Sequence, residues 1–258
     1  MQNKTKTKLV NLGCGHHFHK NWINLDLHAS EFIQYYNIKN KLPFDDNSID
    51  VVYHSHVLEH LTKEDGEKLS KECFRVLKPG GILRVCIPDL EIICQEYLSN
   101  LNKAYETDDP YHIKNYYWNK LELYDQVLRS KSGGDMKKAI EEKLINKDYV
   151  VQRNGDEVRP LFENITPIKE NILIKVIKYI YHKLFSFRNN PQISGESHKW
   201  MYDKLDLKIL FTNIGFKNFQ IVKFDISKIP NWNIYKLDNS SNSQYPRKPD
   251  SIFIETIK

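Results

Sequence analysis

A short apolar segment that runs into a glycine turn limits the fold of this chain more than any other sequence feature. Residues 8–12 are mostly apolar and are followed at once by Gly13-Cys14-Gly15. Glycine adopts backbone conformations that other residues avoid, so this spacing lets the chain turn sharply where a strand ends. Residues 22–27 alternate apolar and polar side chains, which predicts a second strand after the turn. The pattern therefore predicts a strand-turn-strand unit at the start of a sheet.

Strands and helices continue to alternate through residue 88. Apolar runs at residues 50–53 and 82–87 predict two further strands. Between them, Thr62 and Asp65 have the spacing of a helix start, and Lys78-Pro79-Gly80-Gly81 predicts that the helix ends there. Strands separated by crossover connections predict a mostly parallel sheet with helices on both faces, which is a Rossmann-like α/β fold.

The middle of the chain has a different pattern. Residues 89–200 contain helical and aromatic stretches without strand alternation, and a structureless loop of that length is uncommon in a compact domain. We therefore predict a helical insertion, or lid, at 89–200. A helix at 205–214, ended by Gly215, and strands at 216–224 and 251–257 resume the alternation. The sheet domain is accordingly predicted to comprise residues 1–88 and 201–258.

Composition excludes several classes of protein. The net charge of +5 is spread over 258 residues with no long run of like charges, so no nucleic-acid-binding tail is expected. The four cysteines form neither a C-x-x-C pair nor zinc-site spacing, and no bound metal is predicted. The sequence begins without the apolar core of a signal peptide and contains no apolar stretch long enough to span a bilayer. We therefore expect a cytoplasmic protein.

The glycine turn favours a ligand without phosphates. A NAD or FAD fingerprint would place a third glycine at Phe18, where it lets a helix present its N-terminus to a pyrophosphate. Asp26, at the end of the second strand, is placed to accept hydrogen bonds from a ribose diol, because both carboxylate oxygens are acceptors. The link from Gly15 to Asp26 is too short for a full helix of the usual kind, which leaves a more open site on that side as one alternative.

Several motifs together resemble the class I S-adenosylmethionine-dependent methyltransferases of the type 11 group. They are VNLGCG at 10–15, WINLD at 22–26, LPFDDNSID at 42–50, HVLEHL at 56–61 and RVLKPGG at 75–81. Pieces near the C-terminus, HKWMYD at 198–203, Gly215-Phe216 and SIFIE at 251–255, resemble a subgroup often found among surface-polysaccharide genes. The resemblance covers both ends of the chain and leaves the middle uncovered.

The resemblance implies S-adenosylmethionine as the cofactor. The positions that it implies for cofactor contact are Asn11, Gly13, Cys14, Gly15, Asp26, Leu27, Asn37 and His54. The methionine part would lie against the glycine turn, Asp26 would bind the ribose, and Leu27 would flank the adenine. Family members commonly carry acidic residues where this chain has Asn11 and close to Asn37, so those contacts would lack a charge.

Methyl transfer from a sulfonium needs mainly positioning, because the methyl group is already activated. A hydroxyl acceptor also needs a base, and the candidates are His54, His56 and His198. His198 and His56 are favoured, and each of the three has a purely structural role as the alternative. The resemblance implies O-methylation of a sugar or a phosphorylated surface-glycan precursor. A small metabolite or quinone precursor is equally compatible with the sheet residues.

Other functions stay open at this point. An NAD-dependent nucleotide-sugar epimerase or dehydrogenase would use a Tyr-x-x-x-Lys pair, which occurs at Tyr116 and Lys120 and again at Tyr179 and Lys183. A non-catalytic module that keeps the fold and binds a partner is a third class. Nucleic-acid methylation is disfavoured, because HSHV stands at 54–57 where amino-methylating enzymes often carry an Asn/Asp-Pro-Pro-Tyr type of tetrapeptide.

Two further features have plain alternatives. Glu59 and His60 are adjacent, as in some metal sites, but such a pair is more often a polar contact at the start of a helix. Residues 168–187 predict an amphipathic helix. Its apolar face could pack on the sheet domain or on a second copy in a homodimer, and the sharper hypothesis is peripheral contact with a membrane.

Overall fold

The computed structural model describes residues 7–163, 195–240 and 244–258. The chain divides into two compact units. The sheet unit comprises Met1–Asp89, Trp200–Pro246 and Ser251–Lys258, and the helical unit comprises Leu90–Lys199 and Arg247–Asp250. The amphipathic helix predicted at 168–187, together with Tyr179 and Lys183, lies outside the described residues. No helix within the described ranges is long and apolar enough to cross a membrane.

The sheet unit contains a 7-stranded sheet in the order β3-β2-β1-β4-β5-β7-β6. Its strands are β1 (Leu9–Leu12), β2 (Ile23–Asp26), β3 (Ile33–Tyr35), β4 (Ile49–Ser55), β5 (Leu77–Pro88), β6 (Lys217–Val222) and β7 (Ser251–Ile257). The first five strands run parallel, and β7 is antiparallel to both β5 and β6. The helices of this unit are α1 (Lys63–Val76), α7 (Lys204–Ile214) and the short α8 (Trp232–Tyr235). This confirms the predicted Rossmann-like α/β fold.

Helix α1 shows how local sequence sets the elements. Its N-cap Thr62 accepts a hydrogen bond from the backbone N–H of Asp65, as its spacing predicts. Its buried face includes Leu69, Cys73 and Val76, which lie at helical spacing and pack into the main core. The helix ends at Val76, shortly before the proline that cannot continue it.

Several predicted boundaries were wrong. Strand β5 begins at Leu77, directly after α1, because Leu77 pairs with Ile49 before the register shifts and the ladder resumes at Ile82. The predicted strand at 216–224 ends at Val222. Strand β3 was missed altogether, since three residues are too few for an alternating pattern to appear.

The connection from β1 to β2 contains no helix, and a different part of the chain covers that side of the sheet. Ile229, Trp232 and Leu237 form a buried cluster with residues of β1, β4 and the β1–β2 connection. Trp22, just before β2, has its ring centroid 5.3 Å from that of Tyr235 and 6.4 Å from that of Trp232. The segment at 229–237 therefore packs on the sheet where a crossover helix is missing. An opening of the site itself on that side stays a prediction.

A buried ion network holds this C-terminal segment on the sheet. Arg84 of β5 has no exposed surface, and its guanidinium lies 2.8 Å from both Asp238 and Glu255. It also lies 4.3 Å from the ring centroid of Trp232 and donates to the backbone carbonyl of Phe224. A buried guanidinium is tolerated when carboxylates and carbonyls satisfy its N–H groups, as they do here.

The described part of the helical unit is helical, as predicted. Its helices are α2 (Leu90–Thr107), α3 (Pro110–Leu128), α4 (Gly134–Glu141), α5 (Lys147–Asn154) and α6 (Arg159–Glu163). Beside an apolar cluster around Trp118 and Val150, the unit buries a polar one. In it Glu122 of α3 accepts hydrogen bonds from Asn119, Arg153 and Asn154.

Candidate functional site

The strand order places the candidate site at one edge of the sheet unit. The carboxyl ends of parallel strands lie at the same edge, and β1 and β4 are the neighbours at which the chain reverses direction across the sheet. The chain adds β2 and β3 on one side of β1, and then returns to add β4 and β5 on the other side. A crevice at such a switch point is where open α/β sheets bind ligands. The predicted glycine turn, Asp26 and His56 all follow strands that end here.

The two glycines of the turn serve different purposes. Gly13 has a φ of +60°, and a Cβ placed on it would lie 2.6 Å from Cγ2 of Val57, so only glycine allows the end of β4 to pack this closely. Gly15 has a φ of +52°, but a Cβ placed on it would meet nothing within 4 Å. The space beside Gly15 lets a ligand approach the backbone directly.

Asp26 closes the other side of the turn. Its Oδ2 accepts a hydrogen bond of 2.8 Å from the backbone N–H of Gly15, and its Oδ1 accepts one of 3.0 Å from that of His28. A carboxylate offers about four acceptor positions, so it can accept further hydrogen bonds from the hydroxyls of a ribose. Leu27, next in the chain, is 52% exposed and offers an apolar surface to a flat ring.

Three other residues that are predicted to contact the cofactor also interact with neighbouring residues of the protein. Asn11 is buried, and its Nδ2 donates to the carbonyl of His17 over 3.3 Å, which ties the β1–β2 connection to β1. Asn37 is half-buried and accepts from the N–H of Lys39 over 3.1 Å in the turn after β3. Cys14 is buried, and its burial and the nearby Asp26 carboxylate raise the pKa of the thiol to about 12, so it stays protonated. Their contact with a cofactor stays a prediction.

His54 lies in the interior of the sheet unit. It is 1% exposed, pairs in register with Leu12 of β1, and burial lowers the pKa of its imidazole to about 4. The ring is therefore neutral at physiological pH. Its contact with a cofactor stays a prediction.

His56 stands at the carboxyl end of β4 with an unusual backbone. Its φ is +54°, and its N–H donates to the carbonyl of Cys86 over 2.8 Å. Its Nδ1 lies 3.0 Å from Oε1 of Glu59, and its Nε2 lies 2.9 Å from Oγ of Ser251. Glu59 is 1% exposed, and Nε2 of His60 lies 3.9 Å from the same Oε1. The structure thus places two imidazoles around one buried carboxylate.

The sequence predicts that Glu59 makes a polar contact at a helix start. Residues Leu58–His60 do form a short 3-10 turn, yet the carboxylate of Glu59 faces His56. The spacing His-x-x-Glu, from His56 to Glu59, is the sequence feature that indicates this contact. Ser251 could not be found from sequence, because 195 residues separate it from His56.

His198, the other candidate base, belongs to the helical unit. It is 5% exposed, and its backbone N–H donates to the carbonyl of Gln126 over 2.9 Å. Its role as a base stays a prediction.

Known proteins resemble the part of the chain that holds this site. Residues 11–85 match the family model described as a methyltransferase domain. A protein of Mycolicibacterium smegmatis described as a "probable S-adenosylmethionine-dependent methyltransferase" is 47% identical over 49 residues, which are 19% of this chain and 18% of the relative. The chain therefore matches less than a fifth of that relative's length. The residues that the family model matches include the glycine turn, Asp26, His56 and Glu59.

Solved structures resemble the chain more distantly. A SAM-dependent methyltransferase of Thermotoga maritima is 15% identical with a TM-score of 0.41, over 98% of this chain and 83% of the other. A SAM-dependent methyltransferase of Archaeoglobus fulgidus is 13% identical with a TM-score of 0.42, over 99% of this chain and 87% of the other.

Proposed function

We propose that the protein is an S-adenosylmethionine-dependent methyltransferase that transfers the cofactor's methyl group to a hydroxyl of a sugar or a phosphorylated glycan precursor. The match of residues 11–85 to a family model described as a methyltransferase domain, and the relative described as S-adenosylmethionine-dependent, support the activity and the cofactor. The observation that carries the cofactor site is the Asp26 carboxylate. It is held by the N–H groups of Gly15 and His28, beside the open backbone of Gly15. Asp26 would bind the ribose and the glycine turn would support the methionine part.

The same edge of the sheet supports a base for a hydroxyl acceptor. Val57 packs against Gly13, so its neighbour His56 stands next to the turn that would hold the methionine part. A hydroxyl becomes a better nucleophile as its proton is removed, and an imidazole is suited to that task near neutral pH. His198 is the alternative base.

The acceptor is the part of the proposal that rests on resemblance. The motifs at 198–203 and 251–255 resemble those of methyltransferases found among surface-polysaccharide genes, and the net charge of +5 suits an anionic precursor. A small metabolite or quinone precursor is the second candidate, since the sheet residues suit it equally. The epimerase alternative has less support: Tyr116 packs against Tyr97, and Lys120 lies 5.4 Å from the Tyr116 ring centroid, all within the helical unit.

Calorimetric titration tests the cofactor site. We expect micromolar binding of S-adenosylmethionine and S-adenosylhomocysteine and no binding of NAD. Asp26→Ala should lose the binding, while Asp26→Asn should keep part of it, because an amide oxygen still accepts a hydrogen bond. Asp45→Ala is the matched control, because Asp45 is an exposed carboxylate before β4, at the opposite edge of the sheet. Unchanged affinity in Asp26→Ala, or a preference for NAD, contradicts the proposed site.

A release assay tests the acceptor. S-adenosylhomocysteine formation would be followed with sugar phosphates and nucleotide sugars in one series and with phenolic quinone precursors in the other. Turnover confined to the first series supports the proposed acceptor. Turnover confined to the second would replace it with the alternative, and cofactor binding without turnover in either would favour the non-catalytic module.

A further inference from the structure

Resting on the proposed function, we infer that Glu59 is a positioning residue that fixes His56 as the base, with Ser251 standing in for the acceptor hydroxyl until a substrate binds. The three side chains lie in one row of close polar contacts. Oε1 of Glu59 lies 3.0 Å from Nδ1 of His56, and Nε2 of His56 lies 2.9 Å from Oγ of Ser251.

The chemistry of the carboxylate sets the tautomer of the imidazole. An ionised carboxylate only accepts hydrogen bonds, so the nitrogen that faces Glu59 carries the proton. The neutral ring then presents its lone pair at Nε2, and the hydroxyl of Ser251 donates to it. A carboxylate that holds a histidine base in one tautomer and stabilises the imidazolium that forms is an established way to organise proton removal.

The sheet topology explains why a hydroxyl reaches Nε2. Ser251 is the first residue of β7 and pairs with Pro88 at the carboxyl end of β5. Because β7 is antiparallel to β5, its beginning lies at the edge where the parallel strands end. Nε2 therefore already faces a hydroxyl at hydrogen-bond distance on the ligand-binding edge, and a substrate hydroxyl needs the same relation to it.

The backbone of His56 supports a functional role. A φ of +54° is uncommon for a residue with a side chain, and such conformations persist where the surrounding structure imposes them. Here the N–H of His56 is held by the carbonyl of Cys86, while Val57 packs against Gly13. These contacts fix the imidazole between Glu59 and Ser251.

In the proposed methyl transfer, the acceptor hydroxyl replaces Ser251 at Nε2 of His56. It gives its proton to that nitrogen while its oxygen bonds to the methyl carbon. The carbon–sulfur bond breaks, its electron pair returns to sulfur, and the sulfonium becomes the neutral thioether of S-adenosylhomocysteine. The resulting imidazolium is stabilised by Glu59 at Nδ1 and returns its proton to solvent after the product leaves.

Nitrogen-15 NMR of histidine-labelled full-length protein with bound S-adenosylhomocysteine tests the inference without a known acceptor. His56→Asn identifies the His56 signals among those of the 10 histidines. We expect His56 to carry its proton on Nδ1, Glu59→Ala to redistribute that proton toward Nε2, and His60→Asn, the neighbouring control, to leave it in place. Glu59→Met keeps most of the side chain's length and has no oxygen acceptor, so it serves if Glu59→Ala does not fold.

The outcomes separate this inference from the proposed function. If the wild type does not bind S-adenosylhomocysteine, the proposed function fails first. If it binds, a wild-type His56 with its proton on Nε2, or a tautomer unchanged in Glu59→Ala or Glu59→Met, overturns the inference alone. Broadening of the His56 signals by stoichiometric Mn²⁺ that is lost in the Glu59 variant also overturns it, because Glu59 would then be a metal ligand.

Kinetics provide a second readout once the screen yields an acceptor. General-base catalysis contributes about 10²–10⁴-fold, so Glu59→Gln should lower kcat by about 10²-fold or more with little change in KM for S-adenosylmethionine. Ser251→Ala should lower kcat by less than about threefold, since a stand-in is displaced before the reaction. A large kcat loss in Ser251→Ala would overturn the stand-in role.

Discussion

The stability of the protein should fall as pH rises through neutrality because of one carboxyl group in the helical unit, Asp250. Burial, together with the nearby carboxylates of Glu157 and Glu122, raises the pKa of Asp250 from 3.8 to about 7, while Lys248 and Arg153 act in the opposite direction. These four charged groups come from α3, α5, the 3-10 turn after α5 and the segment that carries Asp250. The protonated form is the one that the folded unit favours.

The magnitude follows from linkage. A folded-state pKa about 3 units above the unfolded one corresponds to about 4 kcal/mol at ~1.4 kcal/mol per unit, which we take as an upper bound. Because the folded pKa is raised, this contribution is fully present below about pH 4 and is lost progressively as pH rises through about 7. Asp250→Asn should therefore match the wild type below about pH 4 and become progressively the more stable protein between about pH 4 and about pH 7, since asparagine resembles the protonated acid.

Urea unfolding from pH 4.5 to 8 measures this difference. Oδ2 of Asp250 accepts a hydrogen bond of 3.0 Å from Nδ2 of Asn154, and an amide oxygen can replace it. Asp148→Asn, at an exposed position of α5, is the control and should show a flat difference from the wild type. A difference between Asp250→Asn and wild type that varies by less than ~1 kcal/mol over this pH range would refute the reasoning.

Three further substitutions separate cofactor binding from folding. Gly13→Ala places a Cβ 2.6 Å from Cγ2 of Val57, and we expect the free energy of unfolding to fall by ~1–3 kcal/mol in urea titrations. In Gly15→Ala the new Cβ meets no atom within 4 Å, so only the strained backbone should lower the free energy of unfolding, by ~1 kcal/mol. The Kd for S-adenosylhomocysteine should nevertheless rise at least ~10-fold in calorimetry. Unchanged affinity would show that no ligand approaches Gly15. Arg84→Met leaves two buried carboxylates without their guanidinium and should cost ~3–5 kcal/mol in urea unfolding, and a loss below ~1 kcal/mol would contradict the network's role.

Features that depend on neighbouring residues were predictable from sequence. The strand that ends at Leu12, the glycine turn and the start of α1 at Thr62 each follow from a few adjacent side chains and their backbone preferences. The position of Asp26 at the end of β2 followed from the same pattern. Local preferences act before any distant contact forms, so they can be recognised in the sequence itself.

The partners of those features could not be predicted. Strand β3 is too short to show an alternating pattern, and its place as the outermost strand of the sheet comes from pairing with β2. Nothing near Trp232 indicates that it packs on Trp22, because the contact exists only once the sheet has formed and one face remains uncovered. The pairing of Arg84 with Asp238 and Glu255 has the same origin.

The candidate site divides in the same way. The residues predicted to contact a cofactor could be identified from the sequence, because a turn with two glycines and a carboxylate at the end of the next strand are local features. The burial of His54 in the sheet, and the place of His56 between Glu59 and Ser251, follow from tertiary packing. His54 lies within β4 and His56 follows its end with a positive φ, so which imidazole is buried, and which distant hydroxyl lies beside the other, depends on how the strands pair.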